Sequence, residues 1–350
     1  MKKLLVIAVA TALIAPAAAM ADTTLYGKLH ATVGNVETTK GAVESSETVV
    51  ESHSSRLGVK GSTELDNGLS ATYGLEYGID LDGDNEKNPS GCSDTTAGAT
   101  KCNAQSRGLS ARNTFVGLKG GFGEVRVGRH DTPAKLATAG LDAFADTYAD
   151  MSNIIGADGH RVDNAVAYIT KVGPVGLAAA HSTEIDVVPS ADGDRNGGTT
   201  ANTVMANYSN GPFYAGLGYT AVDDVGTMIN IGGSYKTEAG HFVNAVCETS
   251  EGDNAVSPAV AGFPGGTKED TNLYVAGGIK SGAMTFKAGY GKGETDGAGE
   301  EEQTTVGVDY SLGKKTSAYL LWNDNTNTGR VATGDESSTT ATAVGLVTDF

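Results

Sequence analysis

The chain contains 350 residues, of which 49 are glycine and only 8 are proline, and its formal net charge is −17 at neutral pH. Binding to nucleic acid is not expected, because phosphate contacts require clustered lysine and arginine. Beyond the N-terminal region no segment approaches roughly 18 consecutive apolar residues, which argues against a membrane-spanning helix.

The N-terminus has the three parts of a secretory signal peptide. Lys2-Lys3 supply a positive region, Leu4 to Ala15 form a short apolar segment, and Ala19-Met20-Ala21 is a cleavage site of small residues. We therefore expect residues 1–21 to be removed, which changes the formal charge to about −19 because two lysines are lost. No proline- or serine-rich linker divides the remainder, so residues 22–350 are predicted to form one domain.

The first segments of the mature chain alternate between apolar and polar residues. Leu25, Leu29 and Val33 share one face of an extended strand, and Lys28 and His30 share the other. The next strand repeats the pattern, with Leu57 and Val59 opposite Arg56, Gly58 and Lys60. In a membrane barrel the apolar face of such a strand contacts lipid and the polar face lines a water-filled lumen.

Short turns and long polar loops alternate along the chain and divide it into about sixteen strands, a spacing of about 20 residues per strand and connection. Tight turns on one side and long loops on the other are typical of a barrel that crosses an outer membrane. The short connections are predicted at residues 64–67, 120–123, 172–174, 209–212, 237–240, 280–282 and 312–314. Long ones are predicted near 35–52, 81–106, 131–160, 184–200, 250–270, 294–302 and 325–338, with a shorter one near 222–226.

Two further features favour an all-β transmembrane barrel over a soluble sandwich. In Phe213 to Tyr219 an aromatic residue stands at each end of one strand face, as in the aromatic girdles of membrane barrels. The chain has only 8 phenylalanines and 1 tryptophan, fewer large apolar residues than a packed sandwich core of this size requires.

The loop near residues 131–160 differs from the others because it is rich in apolar residues, so it should pack against something. Leu141, Phe144 and Tyr148 have the spacing of a short helical stripe, and Asp142, Asp146 and Asp150 would share one helix face. We expect this loop to fold into the lumen and present its aspartates to the channel. The alternatives are a loop that caps the outer mouth or one that contacts another subunit.

A basic wall is expected opposite this acidic loop. Strand alternation places six basic residues on the lumen side, whereas Arg129 has the outward parity but lies at a strand end, where parity fails. A basic wall and an acidic loop create a transverse field that favours water and polar solutes over apolar ones. The six residues are Lys28, Arg56, Lys60, Arg112, Arg126 and Arg161.

Acidic residues cluster in the other predicted loops. They form either a solvated surface or sites where divalent cations bridge to anionic lipid headgroups. Glu44, Glu47 and Glu51 form one cluster, Asp80, Asp82, Asp84 and Glu86 a second, and Glu294, Asp296, Glu300, Glu301 and Glu302 a third.

The three cysteines do not indicate a metal or redox site. Cys92 and Cys102 share one long loop, and a disulfide between them is plausible in an oxidising compartment. Cys247 is left over in a predicted strand. The six histidines are scattered without the spacing of metal ligands, so no metal or cofactor is predicted.

The chain resembles the general-diffusion porins of the Gram-negative outer membrane, in the branch typified by neisserial porins. The most specific stretch runs from Arg112 through Asn113-Thr114-Phe115-Val116-Gly117-Leu118-Lys119-Gly120-Gly121-Phe122-Gly123 to Arg129. Suggestive matches are Thr24 to Gly27, Ser55 to Gly61, Leu65 to Leu69, Asn207-Tyr208, Gly211 to Phe213 and the terminal Phe350.

The resemblance implies a sixteen-stranded homotrimeric barrel whose third loop folds into the lumen. It implies a constriction with Arg56, Arg112, Arg161 and Lys28 on its basic side. The acidic side would carry Asp142, Asp146 and Asp150. It also implies that Phe350 is part of the signal read by the barrel-assembly machinery, although Asp349 departs from the usual basic-aromatic ending.

The predicted function is passive diffusion of small hydrophilic solutes and ions across the bacterial outer membrane. The expected partners are outer-membrane lipid, lipopolysaccharide and further copies of the chain. A substrate-specific channel, or a barrel that serves as a surface adhesin or phage receptor, is the alternative. An enzyme is not expected, because the sequence lacks a nucleophile elbow and a phosphate loop between a strand and a helix. The acidic loops favour the passage of cations, whereas the arginine wall opposes it. The sequence therefore leaves open whether the channel prefers cations or anions.

Overall fold

A computed structural model describes residues 23–82, 109–185, 199–252, 268–330 and 336–350, which form one antiparallel β-sheet with a segment packed against it. The predicted signal peptide, Cys92, Cys102, Asp84 and Glu86 lie outside the described residues. The strands are β1 (Thr24–Lys40), β2 (Val43–Ser52), β3 (Arg56–Glu64), β4 (Ser70–Gly78), β5 (Ser110–Gly120), β6 (Gly123–Asp131), β7 (Arg161–Val172), β8 (Val175–Ile185), β9 (Thr199–Asn210), β10 (Phe213–Val222), β11 (Gly226–Lys236), β12 (Phe242–Gly252), β13 (Glu269–Ser281), β14 (Met284–Thr295), β15 (Gly299–Ser311), β16 (Thr316–Asn327) and β17 (Ser337–Asp349).

The sheet closes into a barrel because β1 pairs with the last strand as well as with the next ones. β1 runs antiparallel to β17 from Lys28↔Asp349 to Lys40↔Ser337. β2 pairs with the second half of β1 and β3 with its first half, so β2 and β3 form one spanning strand interrupted at residues 53–55. The barrel therefore has sixteen spanning strands, which confirms the predicted fold class.

The strands alternate in exposure as the sequence predicted. On β1, Leu25 and Val33 are 61% and 53% exposed on the outer face, whereas His30 and Thr32 are buried on the inner face. An apolar outer face and a polar inner face suit a wall between lipid and water. Closure also gives each strand hydrogen-bonding neighbours on both sides, which a hydrocarbon environment requires.

All seven predicted short turns are confirmed, and they lie at one end of the barrel. The start of β1 and the end of β17 lie at the same end. Two predicted long loops are wrong. Residues 35–52 are the extension of β1, a turn at Gly41 and β2, and residues 294–302 contain only a short turn between β14 and β15. Both stretches are polar, but their residues still pair strand to strand, so a polar composition alone does not identify a loop.

The segment between β6 and β7 contains one short helix, α1 (Pro133–Thr138), followed by three single turns. Thr132 caps α1, since its Oγ1 accepts a hydrogen bond from Lys135 N at 3.0 Å, and Pro133 begins it. The predicted helical stripe from Leu141 to Tyr148 is wrong. Asp146 has φ of 58°, a left-handed conformation that ends any helix there.

This segment lies inside the lumen. It hydrogen-bonds to side chains of ten strands around the barrel, which a single segment can reach only from the inside. These side chains are Lys28, Arg56, Thr203, Tyr214, Asn230, Asn244, Tyr274, Lys287, Gln303 and Asn323. The predicted inward fold is therefore what the structure shows, and the capping and subunit-contact alternatives do not describe it.

Glycines on the inner wall make room for the segment. A Cβ at Gly218 would lie 2.6 Å from Ala134 Cα, and one at Gly291 would lie 2.7 Å from Ile154 Cγ1. Phe144 and Ile154 are both 2% exposed, so they are packed in the small core formed between the loop and the wall. Small residues on the inner faces thus act as the docking surface for the apolar side of the loop.

The remaining sequence expectations concern single residues. Cys247 lies in β12, as predicted, and is exposed. Phe350 follows β17 and exchanges backbone hydrogen bonds with Gly27 at 3.1 and 3.4 Å, which ties the C-terminus to the first strand. Among the described helices, none has the length and apolar character needed to cross a membrane.

Candidate pore constriction

Asp146 connects the loop to the basic wall. Its Oδ2 lies 2.6 Å from Lys28 Nζ and 3.4 Å from Arg56 Nη1. Lys28 and Arg56 are register partners on β1 and β3, so their side chains leave adjacent strands at the same height and the same face. One acidic and two basic groups therefore meet inside the lumen.

The local backbone holds Asp146 in place. Its own N–H donates to Asp150 Oδ2 at 2.6 Å, and Asp150 Oδ1 accepts from Ser152 N at 2.8 Å, capping the turn Met151–Asn153. Burial favours the protonated form of Asp146, but Lys28 and Arg56 outweigh it and hold the pKa of this carboxyl below its usual value. Asp146 is thus ionised at neutral pH.

The other basic residues predicted for the lumen have partners on the wall itself. Lys60 lies over the Tyr26 ring, 4.7 Å from its centroid. Three arginines each pair with a carboxylate from a strand or strand end: Arg112 Nε with Glu76 at 2.7 Å, Arg126 Nε with Glu124 at 2.7 Å and Arg161 Nε with Asp131 at 3.0 Å. Of the six residues, Lys28 and Arg56 therefore pair with one of the three aspartates that the sequence analysis selected, whereas the other four have partners on the strands or at their ends.

Arg129 illustrates where strand parity fails. The β6–β7 register shifts between Gly128 and His130, so alternation does not continue through this position. The Arg129 guanidinium pairs with Asp163 at 2.5 Å.

The sequence analysis missed the wall carboxylates and one lysine. Glu76 and Glu124 have the same parity as lumen residues on their strands, so the alternation that selected Arg126 could also have found them. Lys287 pairs with Asp309 at 2.8 Å and donates to the Ala143 carbonyl at 2.7 Å. Lys287 lies between the exposed residues Phe286 and Ala288 on β14, so the same alternation could have found it as well.

Asp142 and Asp150 accept hydrogen bonds mainly from the backbone of the loop itself, whereas Asp146 pairs with Lys28 and Arg56. Asp142 accepts hydrogen bonds from Phe144 N at 2.8 Å, Met151 N at 2.9 Å and the Tyr274 hydroxyl at 3.1 Å. One carboxylate oxygen from each of Asp142, Asp150 and Asp158 lies within 4.8 Å of the others. Asp158 was not selected from the sequence, because the loop has no regular period that would relate it to the other two.

A cavity of about 230 Å³ lies beside the constriction, between the loop and the wall of β1 and β14–β17. Lys28, Asp142, Phe144, Lys287 and Asp309 are among its lining residues. Charged groups of both signs therefore border this cavity. A polar lining of this kind suits hydrated solutes.

Comparisons with known proteins agree on one family. The family model described as Gram-negative porin matches residues 6–330. The major outer membrane protein P.IB of Neisseria sicca is 27% identical, with 99% of both chains covered. Two solved structures share the fold: the anion-selective porin from Comamonas acidovorans (TM-score 0.70, 22% identity, 94% of this chain and 99% of that one) and the trimer form of Vibrio cholerae OmpT (TM-score 0.60, 15% identity, 94% and 99%).

Proposed function

The chain belongs to the Gram-negative porin family, and we propose that the narrowest part of its channel lies where Asp146 meets Lys28 and Arg56. The protein is a water-filled channel of the bacterial outer membrane through which small hydrophilic solutes and ions diffuse passively. The observation that carries the proposal is that the β6–β7 segment folds into the lumen and brings Asp146, near its middle, into this ion-paired contact.

The electric field across the constriction determines which solutes pass through it readily. A carboxylate on one side and two cationic groups on the other orient water and dipolar solutes, and they disfavour apolar solutes that cannot replace that hydration. The charged lining of the wall also includes Arg112, Arg126, Arg161 and Lys60, each of which lies close to a carboxylate or an aromatic ring.

We propose a mild preference for cations. The basic residues of the wall are largely neutralised by Glu76, Glu124, Asp131 and Asp146, so the arginines do not form an uncompensated positive ring. The chain as a whole carries a formal charge of −17, which raises the local concentration of cations at the channel mouths. The Comamonas porin is described as anion-selective, and that outcome for this chain would contradict the proposal.

The assembly and processing of the protein are part of the same proposal. Residues 1–21 are a signal peptide, residues 22–350 form the barrel domain, and the barrel works as a homotrimer without enzymatic activity. Support for the trimer comes from the shared fold with OmpT, which is described in a trimer form. Phe350, paired with Gly27 at the seam of the barrel, serves the assembly machinery, and lipopolysaccharide and lipid contact the outer face.

Conductance of the purified protein in a planar lipid bilayer under a salt gradient tests this function. Stepwise increments in groups of three are expected for an open trimer, with a reversal potential on the cation side. A silent bilayer from folded, heat-modifiable protein would contradict the channel. Single rather than triple increments would contradict only the trimer.

A further inference from the structure

Three aspartates of the segment between β6 and β7 converge on one point. An oxygen from each of Asp142, Asp150 and Asp158 lies within 4.8 Å of the other two. They come from different parts of the segment, since Asp142 follows the turn Ala139–Leu141, Asp150 begins the next turn and Asp158 lies in the last. Three carboxylates so close repel one another unless a cation or protons lie between them.

Asp158 has a buried oxygen without a partner. The residue is only 8% exposed, and its Oδ1 has no hydrogen bond. Lys135 lies near it, but the Lys135 ammonium is 3.6 Å from Asp131 Oδ1. An unpaired buried carboxylate is strongly unfavourable, and such a group in a native protein requires an explanation such as a bound ion.

The other two carboxylates are held in fixed positions but retain free lone pairs. Asp142 Oδ2 accepts from Met151 N at 2.9 Å, and Asp150 Oδ2 accepts from Asp146 N at 2.6 Å. Asp142 also accepts from Phe144 N and the Tyr274 hydroxyl, and Asp150 also accepts from the N–H and the hydroxyl of Ser152. A carboxylate offers about four lone-pair sites, so each group, which accepts three hydrogen bonds, retains about one site for a cation. The backbone thus orients the acids before any ligand arrives.

We propose that Asp142, Asp150 and Asp158 bind one hard divalent cation, with Ca²⁺ preferred. Ca²⁺ takes oxygen ligands at about 2.4 Å, so two oxygens bound to the same ion lie at most about 4.8 Å apart, and the three aspartate oxygens are all within that limit. Ca²⁺ also tolerates irregular arrangements, whereas Mg²⁺ requires near-octahedral ones. Three oxygen donors without nitrogen or sulfur disfavour zinc and copper.

The cation would stabilise the loop next to its left-handed residue, Asp146. It would join three turns of the segment, and Asp150, one of its ligands, also holds the N–H of Asp146 in the left-handed conformation. The ion would therefore preserve the position of the carboxylate that meets Lys28 and Arg56. This inference goes beyond solute diffusion and does not depend on which ions pass through the channel.

Terbium luminescence on the folded protein in detergent at pH 8 tests the site. Tyr274 donates its hydroxyl hydrogen to Asp142, so its ring is placed to transfer energy to a bound Tb³⁺. We expect saturable sensitised emission from one tight site, displaced by Ca²⁺ but not by K⁺ at equal ionic strength. Absence of a saturable, Ca²⁺-displaced signal in the wild-type protein would overturn the proposal without any variant.

Two matched substitutions separate this site from surface acids. Asp158→Asn should lower the affinity for Tb³⁺ and Ca²⁺ at least tenfold, whereas Asp163→Asn, which alters a carboxylate paired with Arg129 outside the cluster, should leave it unchanged. Asp150→Asn replaces the first variant if that one does not give a heat-modifiable barrel. Equal emission from the wild type and the folded cluster variant, or equal losses in the cluster and control variants, would overturn the proposal.

Discussion

The Asp146 carboxylate lies 2.6 Å from the Lys28 ammonium, so the loop between β6 and β7 is tied across the lumen to the first strand. Arg56, the register partner of Lys28, approaches the same oxygen at 3.4 Å. Charge-assisted hydrogen bonds of this kind are stronger than neutral ones. The contact therefore both fixes the loop and determines the charge of the passage beside it.

Replacing basic residues of the lumen wall by neutral ones should favour the permeation of cations over that of anions. In the double variant Arg56→Gln, Arg112→Gln, Asp146 and Glu76 each lose a cationic partner. We expect the cation-to-anion permeability ratio from reversal potentials to rise up to about fivefold, since a unit charge about 4 Å away is worth about 1 kcal/mol in water. Lys314→Gln, in a turn at the opposite end from the loops, is the control and should change nothing. An unchanged ratio in the double variant would mean that these arginines do not line the constriction.

A side chain at Gly216 should push α1 away from the wall. A Cβ at this position would overlap the carbonyl oxygen of Ala137, whereas one at Gly233 would have only an ordinary contact at 3.5 Å. We expect Gly216→Ala to destabilise the docked loop by about 1–3 kcal/mol and Gly233→Ala to have little effect. Faster proteolysis after Lys135 in folded barrels would report the displacement. Equal cleavage of the two variants would contradict the close packing.

Glu248 anchors the end of the loop from β12. Its carboxylate oxygens accept hydrogen bonds from Gly156 N at 2.7 Å and Ala157 N at 2.8 Å. In Glu248→Ala both amides lose their acceptor, so their hydrogen exchange should accelerate by about tenfold or more, because an unsatisfied buried group costs about 1–3 kcal/mol. Amides in β16, such as that of Leu321, should exchange at the wild-type rate. Unchanged protection of the two loop amides would show that another group holds them.

Strand alternation predicted most of the barrel, because one side of each strand must meet lipid and the other water. It placed Lys28 and Arg56 on the lumen side, and it could have placed Glu76 and Glu124 there by the same rule. Strand alternation failed at Arg129, where the register shifts. It also failed along β2, because a strand with polar residues on both faces has the composition of a loop.

The conformation of the loop between β6 and β7 could not be predicted from strand alternation. Its apolar residues predicted that it packs against the wall, but the positions of Asp142, Asp146 and Asp150 depend on a left-handed residue and three irregular turns. Those features arise from contacts with Tyr274, Glu248 and Gln303 on distant strands. No local pattern in the sequence encodes which aspartate faces the arginines.

The reversal potential of Asp146→Asn in a planar bilayer tests the constriction most directly. Losing this carboxylate leaves Lys28 and Arg56 uncompensated, so the cation-to-anion permeability ratio should fall up to about fivefold below that of the wild type. Glu238→Gln, which alters an exposed acid in the turn between β11 and β12, should retain the wild-type ratio. If Asp146→Asn forms open channels with the wild-type ratio, the contact of Asp146 with Lys28 and Arg56 does not determine the passage of ions.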